Sequence, residues 1–184
     1  DRGFTGDGST SYINTNFTPS TDGVNYIRDS AGMGAYLNAG TDTAVSGPNS
    51  IGAASGGGTI NARVEPWRSS TPGSTVRARV NDGTATTVGT VATRFGLTAV
   101  NRSGASAVQI YRNGASIGTS TAASSNVPSI DVYALGFNNG GALGGANDNR
   151  IAAAFVGGSL TSTEHADLFT AIEAYLDAVG AGVV

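Results

Sequence analysis

Few stretches of this chain have the residue types to do chemistry. The segment GFNNGGALGGANDNR, residues 136–150, holds five glycines, four asparagines and one aspartate in fifteen positions. Asn138, Asn139, Asn147, Asp148 and Asn149 bring amide donors and amide or carboxylate acceptors. Beside backbone left open by glycine, such groups make paired hydrogen bonds to vicinal hydroxyls, the chemistry of a sugar-binding rim. The same oxygens are hard ligands, which makes Asn139 and Asp148 the candidate ligands for calcium. Against that ion stand a single carboxylate and the absence of EF-hand spacing. A third reading is purely conformational: Asn and Gly sit where a wide hairpin needs positive φ. A phosphate cradle is excluded, because it needs Gly-Lys-Ser/Thr opening a helix, whereas the chain has no Lys here and runs on into strand-like RIAAAFV. A dinucleotide loop fails for the same reason, since it too must open a helix.

Trp67, the single tryptophan, and Arg68 form the second candidate site. An exposed indole stacks on the apolar face of a pyranose, and a guanidinium beside it holds a carboxylate or sulfate. A Trp that plugs the end of a sandwich is the alternative. Arg63, Arg77 and Arg79 fall on the polar faces of two alternating segments. In register they make a cationic stripe suited to an anionic polysaccharide; with Glu65 and other acids among them they make an ordinary solvated face.

Catalytic constellations are missing. Glycoside hydrolysis uses two carboxyls flanking the bond. Here Glu65 is followed by Pro66 and Trp67, and Asp131 by Tyr133 two residues on. His165 is the only histidine, and its place in a first helical turn predicts a surface residue. STEHAD lacks the His-Glu-x-x-His arrangement, and no Gly-x-Ser-x-Gly elbow occurs. The expectation is no enzyme and no resident cofactor.

The elements that must hold these residues follow from periodicity. TINARVEP and TVRARVN alternate apolar and polar residues, as half-buried antiparallel strands do. FGLTAVNR, SIDVYALGF, RIAAAFVGG, TSYINTNF, GVNYIRDS and MGAYLNAG also read as strands. AVQIYRNGASIGTS contains Asn113-Gly114, the strongest short hairpin signal. Pro72-Gly73 is turn chemistry, and the stretch from Gly40 to Gly58 reads as loop with one or two short strands. LTSTEHADLFTAIEAYLDAVG breaks the period: Thr161 and Glu164 form a capping box, and Leu168, Phe169, Ile172, Leu176 and Val179 make one apolar stripe. Gly180 closes a helix of about 162–179. The fold class is therefore all-β, a two-sheet antiparallel β-sandwich with one C-terminal amphipathic helix docked outside it.

At 184 residues, one domain spanning 1–184 is the economical expectation. Net charge is -3, so nucleic acid is a poor partner. No apolar run approaches the ~20 residues that cross a bilayer. With no cysteine there is no disulfide framework and no thiolate chemistry. A chain that opens at Asp1 without Met has the form of a processed product or a piece of a longer protein.

The order FTGDGSTSYINTNFTPS, YIRDSAGMGAYL, GLTAVNRSGASAVQIYRNGASIG, then GFNNGG and GGSLTSTEH resembles the concanavalin A-like (laminin G-like) jelly-roll domains of phage tail fibres, tail spikes and related surface proteins. The resemblance covers most of the chain and is weakest around 40–58. It implies a non-catalytic carbohydrate-binding, receptor-binding module of a phage appendage, located on a virion or cell surface. Its partners would be bacterial surface polysaccharide, other virion subunits and further copies of itself in a homo-oligomer. The alternatives are a structural virion module that binds no glycan and, third, a polysaccharide hydrolase or lyase.

Overall fold

The computed structural model describes residues 2–40, 47–69, 74–83 and 86–183, with the backbone alone at 68, 69, 74, 86, 87 and 89. In chain order the elements are β1 (Phe4–Thr5), β2 (Ile13–Asn14), α1 (Pro19–Asp22), β3 (Ala31–Ala39), β4 (Ile51–Ser55), β5 (Ile60–Ser69), β6 (Ser74–Asp82) and β7 (Thr86–Thr90). There follow β8 (Gly96–Gly104), β9 (Ala107–Arg112), β10 (Ala115–Ser120), β11 (Tyr133–Ala134), β12 (Phe137–Asn139), β13 (Ala142–Gly144), β14 (Arg150–Gly157) and α2 (Ser162–Ala178).

Among the described residues these strands form two sheets. One has six strands in the order β1-β14-β3-β8-β9-β10. The other has eight, running β13-β12-β4-β5-β6-β7, with β11 on the β4 edge and β2 beyond it. The core lies between them. Met33, Ala35, Leu37, Val100, Val108 and Ile110 from the first sheet meet Ile51, Ala53, Ala62, Val64, Val76, Ala78 and Val80 from the second. The alternation in β5 and β6 is thus the expected one, apolar residues inward and the arginines outward. The Asn113-Gly114 hairpin joins β9 to β10, with Arg112 facing Ala115.

Two expected strands shrink and one disappears. TSYINTNF contributes only β2, and SIDVYALGF only the two residues of β11 and the start of β12. GVNYIRDS is a loop, with one isolated bridge between Ile27 and Ser30. Its backbone is held by side chains instead: Asn81 Nδ2 donates to the carbonyls of Ile27 and Arg28, each at 3.0 Å. The Pro72-Gly73 turn and part of the 40–58 loop lie outside the described residues.

Helix α2 begins with the expected box: the Glu164 amide donates to Thr161 Oγ1 at 3.2 Å, and the Thr161 amide donates to Glu164 Oε2 at 2.7 Å. Its Phe169, Ile172 and Leu176 pack over Tyr36, Leu97 and Phe155 on the outer face of the six-stranded sheet. Val179, the last residue of the predicted stripe, is exposed. Eight of the nine residues of β3 are buried, since one face meets the core while on the other Tyr36 packs against the helix, Gly34 lies against Phe155 and Asn38 donates to the carbonyls of Arg2 and Ala181.

His165 corrects the expectation of a surface residue. It is fully buried, stacked on Tyr111 with ring centroids 3.8 Å apart and an interplanar angle of 19°. Neither ring nitrogen has a hydrogen-bond partner among the described residues. Burial pushes its pKa down from 6.5 to about 4, against the weaker pull of Glu164. The unfolded chain therefore takes up a proton between pH 6.5 and 4 that the folded chain refuses. Stability is full above about pH 6.5 and should fall by roughly 3 kcal/mol as pH drops to 4. His165→Phe keeps a ring against Tyr111 and should flatten that slope. Urea midpoints at pH 7.5, 5.5 and 4 measure it, and an unchanged slope in the variant would place its source elsewhere.

Candidate functional site

The segment 136–150 is a hairpin followed by a turn back into β14. β12 and β13 are joined by Gly140 and Gly141 alone, with Asn139 facing Ala142 and φ values of 65° and 100° at the two glycines. Both positions of such a two-residue turn need positive φ, which glycine adopts without strain. Asn138 is buried and serves the hairpin: its Nδ2 donates to the Asp131 carbonyl at 2.9 Å, and its Oδ1 accepts the Gly141 amide at 2.8 Å. Asn147 and Asn149 are wholly buried. Asn147 Oδ1 accepts the Asn149 amide at 2.8 Å, Asn147 Nδ2 donates to the Asn49 carbonyl at 3.3 Å, and Asn149 Oδ1 accepts from Arg94 Nη1 at 3.3 Å.

Trp67 is buried as well, at 7% exposure, and Arg94 lies 5.7 Å from its ring centre. The structure therefore joins Trp67, Asn149 and Asn147 through Arg94, but inside the protein, where they tie loop backbone together. This corrects their placement on an open rim. The reason is that a buried turn must find partners for its amides and carbonyls, and short amide side chains supply them. The Arg68 side chain lies outside the described residues.

Asn139 is exposed at the hairpin tip, and Asp148 is half-buried at its base. Asp148 shares a cavity of about 160 Å³ with Asp7, Gly8, Pro48 and Ala146. The Thr10 hydroxyl donates to Asp7 Oδ2 at 2.6 Å, and Asp7 Oδ1 accepts the amides of Ser9, Thr10 and Ser11 at 2.7–2.9 Å; the hydroxyl first, then these amides, hold its carboxyl well below the usual carboxylate range. Among the described residues no group of three or more His, Cys, Asp or Glu side chains is placed to hold a metal ion.

The outer face of the eight-stranded sheet carries a cluster of charged side chains. Ala62 and Val64 point into the core, so Arg63 and Glu65 point out; Ala78 and Val80 do the same for Arg77 and Arg79. Register places Arg63 directly opposite Arg79, and Glu65 directly opposite Arg77. Arg63 Nη2 is 3.3 Å from Glu65 Oε1, and its guanidinium lies 4.5 Å from the centre of the Phe137 ring. Three guanidiniums and the Glu65 carboxylate thus share this face among the described residues. Like charges facing each other across strands are destabilising. The Nε atoms of Arg77 and Arg79 are buried with no hydrogen-bond partner among the described residues.

The row continues across the sheet. Gly52 faces Arg63 on one side and Tyr133 on the other, and Tyr133 faces Asn14. At Gly52 a Cβ would come within 2.4 Å of the Arg63 Cβ, so the side-chain-free position keeps a floor between the arginine and tyrosine banks. Tyr12 stacks on Tyr133 with centroids 4.4 Å apart. Sequence reading missed this aromatic bank, although TSYINTNF carries the signal: Ile13 packs against the core, and Tyr12 and Asn14 flank it.

No family model matches the chain, and no curated protein matches it. Solved structures do. The CBM40 of the Ruminococcus gnavus IT-sialidase superposes with a TM-score of 0.60 at 13% identity, over 92% of this chain and 97% of that one. The same module bound to α2,3 sialyllactose gives 0.62 at 14% identity, over 92% and 96%. The leech intramolecular trans-sialidase complexed with 2,7-anhydro-Neu5Ac gives 0.52 at 11% identity; the match covers 85% of this chain and 26% of the enzyme. These likenesses establish the fold, a concanavalin A-like jelly-roll sandwich.

Proposed function

We propose that this chain is a non-catalytic carbohydrate-binding module, and that its ligand is an anionic glycan held on the outer face of β5 and β6 by Arg63, Arg77 and Arg79. The observation that carries the reading is the directly opposed Arg63–Arg79 pair beside Arg77, a concentration of positive charge on one strand face that a carboxylate or sulfate would meet with charge-assisted hydrogen bonds. The sialyllactose carried by a structural neighbour is an acidic glycan, which supports the choice of ligand. Glu65, the carboxylate beside these arginines among the described residues, is ion-paired with Arg63, which favours binding over the acid–base work that glycoside cleavage needs. The finer part of the proposal is the setting: a phage appendage on a virion or cell surface, the glycan a bacterial surface polysaccharide, with avidity from repeated copies.

The test is retention of the purified chain on acidic and neutral polysaccharides, with polymer length followed in parallel. Each charged hydrogen bond lost costs about 1.5–3 kcal/mol. Arg77→Gln with Arg79→Gln should therefore weaken binding to an acidic polymer at least tenfold, with the melting temperature held within about 3 °C. Binding should also weaken as salt rises. Retention on neutral polymers alone would overturn the arginine face, and shortening of the polymer would overturn the non-catalytic reading. No retention on any polymer would favour a structural packing module.

A further inference from the structure

The aromatic end of the same row has the form of a second subsite. Tyr12 is 45% exposed although one face of its ring is covered by Tyr133, which is itself 8% exposed. The exposed area is therefore the opposite face and edge of a ring that the stack already holds in place. Beside it, Asn14 Nδ2 donates to Asp131 Oδ2 at 3.0 Å, and Thr18 Oγ1 donates to Asp131 Oδ1. Each carboxylate oxygen keeps acceptor capacity after one such bond, and the Asn14 amide keeps a second N–H. Both hydrogen bonds hold the Asp131 carboxyl below its ordinary range, and this carboxylate is close enough to help raise the Tyr133 phenol, after burial and Tyr12. A flat apolar face with an acceptor and a donor at its edge is complementary to a pyranose, which has an apolar face and vicinal hydroxyls at its rim. A carboxylate here would repel a second acidic sugar, so the chemistry selects a neutral one.

Tyr133 and Arg63 lie two strand spacings apart across Gly52, about 10 Å. That span suits two linked sugars, with Phe137 and Gly52 beneath the linkage. We propose that Tyr12, stacked on Tyr133 and edged by Asn14 and Asp131, binds a neutral pyranose joined to the acidic sugar on the arginines. The inference rests on the proposed anionic-glycan reading for its second half, and on the tyrosine stack alone for its first.

The experiment is calorimetric titration of the whole chain with the methyl glycoside of N-acetylneuraminic acid, with 3′-sialyllactose and with lactose. The wild type should bind sialyllactose about tenfold more tightly than the acidic monosaccharide. Tyr12→Ala should reduce that ratio to within about twofold and leave the monosaccharide unchanged, whereas Tyr12→Phe should keep it. A ratio near one in the wild type, or a tenfold ratio surviving in Tyr12→Ala, overturns the subsite and leaves the arginine face standing. If no acidic sugar binds, the arginine reading has failed, and the ring-proton resonances of Tyr12 decide this one. Their shift on adding lactose or another neutral oligosaccharide supports the subsite, and no shift with any of them overturns it.

Discussion

Arg102→Met should lower stability by about 3–5 kcal/mol, the range for removing one partner of a buried ion pair. The Arg102 side chain is fully buried, and its guanidinium is engaged on every side. Nε donates to the Val80 carbonyl at 2.8 Å and Nη2 to Asp82 Oδ2 at 2.9 Å. Nη1 donates to the carbonyls of Gly104, Ala105 and Ala122 at 3.0–3.2 Å. One side chain thus ties the end of β6, the β8–β9 turn and the loop after β10. Methionine fills most of the volume but leaves a buried carboxylate and four carbonyls without that donor, and leaving such groups unmet is the costly part. For a chain of this size the loss is about 6–20 °C in melting temperature. Arg102→Lys keeps the charge but cannot fan donors to three segments, so it should recover only part. A calorimetric melt within 2 °C of wild type for Arg102→Met would show that the hub does not hold this end of the sandwich together.

Such a hub marks where sequence reading stops. Alternation places Val100 and Arg102 on the same face of β8, and that face is the core. A charged residue at a core position can be noticed, but its partners at 82 and 122 are each 20 residues away and nothing local announces them. Local devices were legible: the Asn113-Gly114 turn, the Thr161–Glu164 box and the β5 and β6 alternation each depend on neighbours in the chain. The short strands β2 and β11 were not, because with two residues each they are defined by pairing with each other and with β4 rather than by a pattern of their own. His165 was legible in retrospect. It precedes Phe169, Ile172 and Leu176 at spacings of four, seven and eleven, so the apolar stripe already included it.

The candidate site divides along the same line. The outward direction of Arg63, Arg77 and Arg79 follows from period two, but the opposition of Arg63 to Arg79 is a matter of register across a turn. The Asn-rich segment misled for a different reason. Composition does not distinguish an amide that offers itself to a ligand from one consumed by its own backbone, and Asn138, Asn147 and Asn149 are of the second kind. Tyr12 escaped notice because a lone tyrosine just before a two-residue strand gains meaning only when Tyr133, distant in sequence, is stacked beneath it.

Trp67→Ala brings the core and site readings into direct conflict. If the indole were a sugar platform, its loss would abolish glycan retention and leave the melt nearly unchanged. At 7% exposure, with Arg94 beside the ring and Asn149 behind Arg94, it should instead destabilise by about 3–5 kcal/mol, as truncation of a buried aromatic does. The melting temperature should fall by about 6–20 °C. Arg94 would lose the ring it lies against, and Asn149 part of its support, so the 147–149 turn should exchange its amide hydrogens faster as well. Trp67→Phe keeps a ring beside Arg94 and removes an indole N–H that has no partner among the described residues, so it should cost markedly less. Glycan affinity measured well below the melt should stay within about twofold for both variants. That separation is the informative part. A stable Trp67→Ala protein with lost binding would place the ligand at the end of the sandwich, whereas an unstable one that still binds leaves the arginine and tyrosine row as the glycan-binding surface.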